Sequence, residues 1–118
     1  LLVEDETLIA MLAEDSLGAM GFDAISVTTA AEALSALSST EDLAVAVIDI
    51  GLPDMRGDQL AGYMRELLPT LPIVIASGYD STLIARQFST DMTIKVLGKP
   101  YTDKDLKEAL SSLGLAVD

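Results

Sequence analysis

The sequence holds 118 residues, half of them hydrophobic, with a formal net charge of −12 and neither cysteine nor histidine. A chain of this length folds as one domain, and an apolar half beneath an acidic shell marks a packed core rather than disorder. The negative balance excludes the basic footprint of a nucleic-acid binder, and no apolar run approaches the roughly 20 residues of a membrane span. Without Cys or His there are no disulfides, no thiolate or imidazole catalysis, and no ordinary zinc ligands. The same lack of Cys fits a cytoplasmic setting. Carboxylates, hydroxyls and a few Lys and Arg remain, and these are partners for hard cations and phosphate.

Leu1–Val3 is an apolar run that ends in Glu4-Asp5-Glu6, so it reads as a first buried strand. A chain starting at Leu1 inside a strand predicts further residues upstream. From Thr7 to Met20 the pattern is helical, with Leu8 and Leu12, and Ile9 and Ala13, at i and i+4. Asp5 or Glu6 can cap this helix, and Gly21 stops it. Phe22–Val27 is predicted as a second strand. Thr29-Ala-Ala-Glu32 is a capping box ahead of a second helix that carries Ala33, Leu34 and Leu37.

The third strand, Leu43–Ile48, ends abruptly in Asp49, and a loop rich in Gly, Pro and Asp runs to Gly57. A third helix follows over Asp58–Leu68, with Leu60, Met64, Leu67 and Leu68 on one face, and Pro69 ends it. Pro72–Ala76 is a fourth strand, leading into Ser77-Gly78-Tyr79-Asp80. A short fourth helix is predicted over Ser81–Phe88. Thr93–Leu97 is the fifth strand, followed by Gly98-Lys99-Pro100. Thr102 caps a last helix whose Leu106, Ala109, Leu110 and Leu113 fall at i, i+3, i+4 and i+7.

Five strand–helix units in alternation predict a single α/β domain over residues 1–118. Its expected form is a flavodoxin-like, doubly wound parallel sheet of order 2-1-3-4-5 with five helices. In that order the carboxyl ends of strands 1, 3, 4 and 5 share one edge. They bring Glu4 and Asp5, Asp49, Ser77 and Lys99 to it. Three close carboxylates repel unless a cation sits among them, and magnesium takes oxygen ligands of this kind. A carboxylate can accept a phosphoryl group as an acyl phosphate. Asp49 lies between the acidic pair and the Ser/Lys pair, which makes it the expected nucleophile. Ser77 and Lys99 are then placed to take phosphoryl oxygens.

These pieces resemble the response-regulator receiver domain of bacterial two-component signalling along the whole chain. They stand as Leu-Val-Glu4-Asp5-Glu6, Val-Ile-Asp49-Ile-Gly-Leu-Pro53-Asp-Met-Arg-Gly57, Ala-Ser77-Gly-Tyr and Leu-Gly-Lys99-Pro100-Tyr. The resemblance implies that Asp49 takes a phosphoryl group from a histidine kinase or a histidine phosphotransfer protein. It implies that magnesium is held by Glu4, Asp5 and Asp49 with the backbone carbonyl of Gly51. It further implies that Ser77 moves toward the phosphate, that Lys99 pairs with it, and that the Lys99–Pro100 peptide is cis. The downstream reader is an unnamed protein that binds the face made by helix 4, strand 5 and helix 5. Such a domain is a phosphoacceptor that promotes its own phosphotransfer and dephosphorylation rather than an enzyme for an outside substrate. It is expected as a monomer or weak dimer without nucleic-acid or membrane partners.

Two positions depart from the common pattern. Gly78 and Tyr79 follow the hydroxyl residue, resembling a subgroup with a Thr/Ser-Gly-Tyr signature. Val96 stands where many relatives carry a switch aromatic on strand 5, leaving Tyr79 or Tyr101 as replacements. Two other readings compete. A phosphatase of the haloacid-dehalogenase kind wants a second Asp two residues after the nucleophile, and that position is Gly51. A pure interaction module should lack one of the acids or the Lys, and each is present.

Overall fold

The computed structural model describes residues 1–40, 42–78 and 81–118. Five parallel strands form one sheet in the order β2-β1-β3-β4-β5. They are β1 (Leu2–Val3), β2 (Ser26–Val27), β3 (Ala46–Asp49), β4 (Ile73–Ser77) and β5 (Ile94–Gly98). The helices are α1 (Thr7–Ala19), α2 (Ala30–Ser39), α3 (Gly57–Leu67), α4 (Ser81–Gln87) and α5 (Asp103–Ser112).

Successive side chains of a strand point to opposite faces, and each face here has its own apolar layer. Val3, Ala46, Ile48, Ile73, Ile75 and Ile94 pack with Ala33, Leu60, Met64 and Ile84 of α2, α3 and α4. Leu2, Val45, Val47 and Val74 pack with Ala13, Leu17, Leu106 and Leu110 of α1 and α5. Strands covered on both faces read as continuous apolar runs, which is why β3 and β4 stand out in the sequence.

The helix faces differ from expectation in two places. In α1 the buried stripe runs through Ala13 and Leu17, with Ala10 partly covered and Met20 buried at the C-cap. Of the two apolar pairs read from the sequence, Ala13 is buried and Ile9 half-buried, whereas Leu8 and Leu12 are 70% and 60% exposed, with Met11 beside them on the outer face. In α3, Leu60, Ala61 and Met64 are buried, whereas Leu67 and Leu68 at its end are exposed. The stripe leaves the sheet as the helix finishes.

Strand β2 is shorter than predicted. Gly21 has φ +94, and the Phe22 N–H returns 3.0 Å to the Leu17 carbonyl, closing α1 in a Schellman-type turn. The segment therefore leaves α1 in a turn and joins the ladder late. Register pairs Leu2 with Ser26 and Val3 with Val27.

Neither Asp5 nor Glu6 caps α1 through its side chain. The Glu6 N–H instead donates to a Glu4 carboxylate oxygen at 3.3 Å. Thr29 and Thr102 do cap. Their hydroxyls accept from Glu32 and Asp105 backbone N–H groups at 3.1 Å each. The Thr102 N–H donates back to Asp105 at 2.9 Å, which completes a capping box.

Candidate phosphoacceptor site

The register of the sheet assembles the site. Val3 of β1 pairs with Ile48 of β3, so the next residues along, Glu4 and Asp49, are neighbours. Asp49 pairs with Ala76 of β4, and Ser77 follows one residue on, paired with Gly98 of β5. Lys99 comes directly after β5, and its N–H donates 2.7 Å to the Ser77 carbonyl. The Lys side chain reaches back across β4 toward β3.

One carboxylate oxygen from each of Glu4, Asp5 and Asp49 lies within 4.8 Å of the others. Glu4 and Asp49 are buried, and Asp5 is exposed. The Lys99 ammonium pairs directly with Asp49 Oδ1 and lies 3.8 Å from Glu4 Oε1. Asp49 Oδ1 is buried, with the Lys99 ammonium as its partner. Asp49 Oδ2 accepts from the Gly51 N–H at 3.2 Å.

The electrostatics follow from burial and crowding. Burial pushes the Glu4 carboxyl above its ordinary range, and the Asp49 charge pushes it further, against the Glu6 N–H and Lys99. Burial alone would lower Lys99, but the carboxylates of Asp49 and Glu4 outweigh it and hold the ammonium firmly charged. Tyr101 is pushed up by burial and then by Glu4, which places its phenol within the field of the site.

These residues fit a hard divalent cation. The donors are all oxygen, three carboxylates converge, and the one ammonium at the site, Lys99, leaves their charge unbalanced. Glu4, Asp5 and Asp49 would hold the ion from the side chains.

The loop after Asp49 is shaped to pass close to it. The Gly57 N–H donates 2.9 Å to the Ile50 carbonyl, and Gly51 and Arg56 bridge across the neck. A Cβ on Gly57 would collide with the Asp49 backbone carbonyl, so only glycine lets α3 start there. Ser77 is buried at the end of β4, and Gly78 is exposed beside it with open space around its Cα. The Lys99–Pro100 peptide is cis. Val96 is half-buried against the layer that holds Ile84, whereas Tyr101 packs on the opposite layer beside Leu106. Those two positions therefore report to different faces of the sheet. Tyr79 lies outside the described residues.

Reading the sequence for chemistry missed Asp54 in the same loop. Both of its carboxylate oxygens are used on α2, accepting from Ala30 and Ala31 N–H at 2.9 and 3.0 Å. The only local signal is Pro53-Asp54, which looks like a turn, and its partners stand 24 and 23 residues upstream.

Several known proteins are similar. A response regulator receiver protein from Sinorhizobium medicae WSM419 superposes with a TM-score of 0.84 at 32% identity, covering 95% of this chain and 90% of that one. A sensor protein from Polaromonas sp. JS666 gives 0.79 at 29% identity, covering 98% and 92%. Among curated proteins, Sensor protein TorS of Escherichia coli strain K12 is 31% identical over 113 residues, 94% of this chain. Sensor kinase CckA of Brucella abortus strain 2308 is 30% identical over 117 residues, 96% of this chain. This chain spans 12% of the length of each of those two proteins. Residues 1–111 match the family model described as response regulator receiver domain. With that match over nearly the whole chain, on the fold and strand-end residues described above, the chain belongs to the response regulator receiver domain family of two-component systems.

Proposed function

We propose that this domain accepts a phosphoryl group on Asp49 in a magnesium-dependent reaction and uses the change to alter partner binding. The carrying observation is the convergence of Glu4, Asp5 and Asp49 with the Lys99 ammonium at one sheet edge. Bound magnesium would neutralise the carboxylates and share its charge with phosphoryl oxygens.

The protein's own part is positioning. The Gly51 N–H holds one Asp49 oxygen, and the other faces Lys99 and is free of competing hydrogen bonds. Asp49 attacks phosphorus, and the bond from phosphorus to the donor's imidazole nitrogen breaks, leaving an acyl phosphate. Lys99 passes from Asp49 to a phosphoryl oxygen, and the Ser77 hydroxyl takes another. Attack by water on phosphorus later breaks the bond to Asp49, releasing inorganic phosphate and returning the carboxylate. Gly51 offers no second carboxyl for a general acid, which speaks against a phosphatase of the haloacid-dehalogenase kind.

The donor in this reading is a histidine kinase or phosphotransfer protein, in keeping with the sensor proteins among the relatives. The exposed Leu8, Met11 and Leu12 on the first turns of α1 give it an apolar landing surface at the same edge. Release of Lys99 and movement of Ser77 then bias the face formed by α4, β5 and α5, with Val96 and Tyr101 on its two sides. Among the described residues no helix is long and apolar enough to cross a membrane.

Incubation with acetyl phosphate or phosphoramidate and Mg²⁺, followed by intact mass, tests the reading. One phosphoryl group should add to the wild type and none to Asp49→Asn. Equal gain in both, or none in either, overturns it.

A further inference from the structure

The N-terminus of α2 is capped twice, from two distant parts of the chain. Thr29 supplies the local cap by accepting from the Glu32 N–H at 3.1 Å. Glu32 returns its carboxylate to Thr28, whose N–H lies at 3.3 Å and hydroxyl at 2.6 Å. The Ala30 and Ala31 N–H groups are left for another acceptor, and both go to Asp54. An ordinary helix start with a good local cap leaves such groups to water. Here a carboxylate has been brought from the loop that follows Asp49, with both oxygens engaged and its charge set against the positive end of the helix.

The loop is closed at its neck by the Gly57–Ile50 hydrogen bond and the Gly51–Arg56 bridge. Leu52 and Met55 rest on the core layer that also includes Ala30 and Ala33. Asp54 completes this seating by fixing the tip to α2. Gly51, on the other limb of the same loop, holds Asp49 Oδ2. The Asp54 carboxyl is held below its ordinary range by the two N–H groups, in keeping with a charged, engaged acceptor.

We propose that Asp54 is a positioning residue for the phosphoacceptor site. It pins the loop to the first turn of α2, keeps Gly51 against Asp49, and thereby tightens magnesium binding. This rests on the reading of Glu4, Asp5 and Asp49 as the magnesium site. Asp54 itself touches neither Asp49 nor the ion. Its effect passes through the loop backbone.

Thr29 provides the control, because Thr29→Ala weakens the start of the same helix without loosening the loop. Magnesium is titrated into wild type, Asp54→Ala, Asp54→Asn and Thr29→Ala, following backbone amide shifts by NMR. Amide exchange at Gly51 is measured on the same samples. Asp54→Ala should raise the magnesium Kd about 3- to 10-fold, less than the roughly 10- to 100-fold of losing a group bonded directly to a metal ligand, because Asp54 acts through the loop backbone. Its Gly51 amide should exchange faster. Asp54→Asn keeps one acceptor oxygen and should fall between Asp54→Ala and the wild type. Thr29→Ala should stay within about 2-fold of wild type, because a lost cap acts on helix stability rather than on the loop. The inference is overturned if Asp54→Ala binds magnesium like the wild type, or if Thr29→Ala weakens binding as much as Asp54→Ala. A wild type that shows no magnesium response overturns the reading of the site, and this inference with it.

Discussion

Two charged clusters stand at opposite ends of the sheet and are built on different terms. At the amino end, Arg65 of α3 donates to Asp91 at 2.9 Å, to the Thr93 hydroxyl at 2.6 Å and to the Leu68 carbonyl at 3.0 Å. Asp91 also accepts from the Thr93 N–H at 2.9 Å and from its hydroxyl at 2.6 Å. One cation meets one carboxylate, and neutral groups fill the remaining sites. At the carboxyl end three carboxylates converge, and one ammonium serves two of them. The first cluster is complete without any addition. The second carries surplus negative charge that costs stability unless a cation joins it. Surplus buried charge is thus what sets the candidate site apart from an ordinary ion pair.

The contrast predicts opposite responses to losing the cation. Lys99→Ala should slow phosphorylation by a small phosphodonor at saturating Mg²⁺ at least about 10-fold, since one charged contact to the transferred group is gone. Arg65→Ala should leave that rate within about 2-fold. It should instead lower urea stability by about 1–2 kcal/mol, the scale of a partly buried charged hydrogen-bond network. Parallel phosphorylation time courses and urea melts check both. If Arg65→Ala slows phosphorylation as Lys99→Ala does, the two clusters are not separable.

The same contrast shows what the sequence could reveal. Residues at the candidate-site edge are legible because each closes an apolar strand, and the 2-1-3-4-5 order then decides which strand ends are neighbours. Glu4, Asp49, Ser77 and Lys99 could therefore be placed before any coordinates. The Arg65–Asp91–Thr93 clasp and the Asp54 cap could not, because each joins segments more than 20 residues apart through side chains. Local pattern carries no signal for such pairings. The outward face of α1 escaped for another reason. The periodicity offered both Leu8 with Leu12 and Ile9 with Ala13, and hydrophobicity alone does not say that Ala10 and Ala13 face the sheet while the leucines face away.

A smaller effect tests the surplus charge directly. The folded Glu4 carboxyl titrates above its ordinary range, first through burial and then through Asp49. For an acid whose folded pKa is raised, stability is fully present below the unfolded pKa and is lost as pH rises through the folded one. Ionised Glu4 is therefore a cost at neutral pH. In magnesium-free buffer at neutral pH, Glu4→Gln should raise urea stability by about 1 kcal/mol. The gain should vanish as pH falls below the ordinary carboxylate range. Adding Mg²⁺ should stabilise the wild type more than the variant, because the ion binds the folded site and Glu4 is one of its ligands. A variant less stable than wild type at neutral pH would show that Lys99 already neutralises the cluster.

Asp91 should show the opposite sign and the smallest change. Burial acts to raise its pKa, but the Thr93 hydroxyl and N–H and the Arg65 guanidinium outweigh it, so the folded carboxyl sits below its ordinary range. For an acid shifted down, the stabilisation is present above the unfolded pKa and lost as pH falls through the folded one. Wild type should therefore lose the contribution of this clasp on acidification below about pH 4, where an unperturbed Asp begins to take its proton. Asp91→Asn should be less stable than wild type at pH 7, and the two melting curves should converge toward pH 3. Because the pair is partly exposed, with side chains 19% and 27% accessible, salt screens it, and the gap should be under about 1 kcal/mol at physiological ionic strength. A gap that stays open on acidification would mean that the clasp does not depend on the charge of the Asp91 carboxylate. Either way the phosphorylation rate of Asp91→Asn should match the wild type, since this clasp lies at the far end of the strands from Asp49.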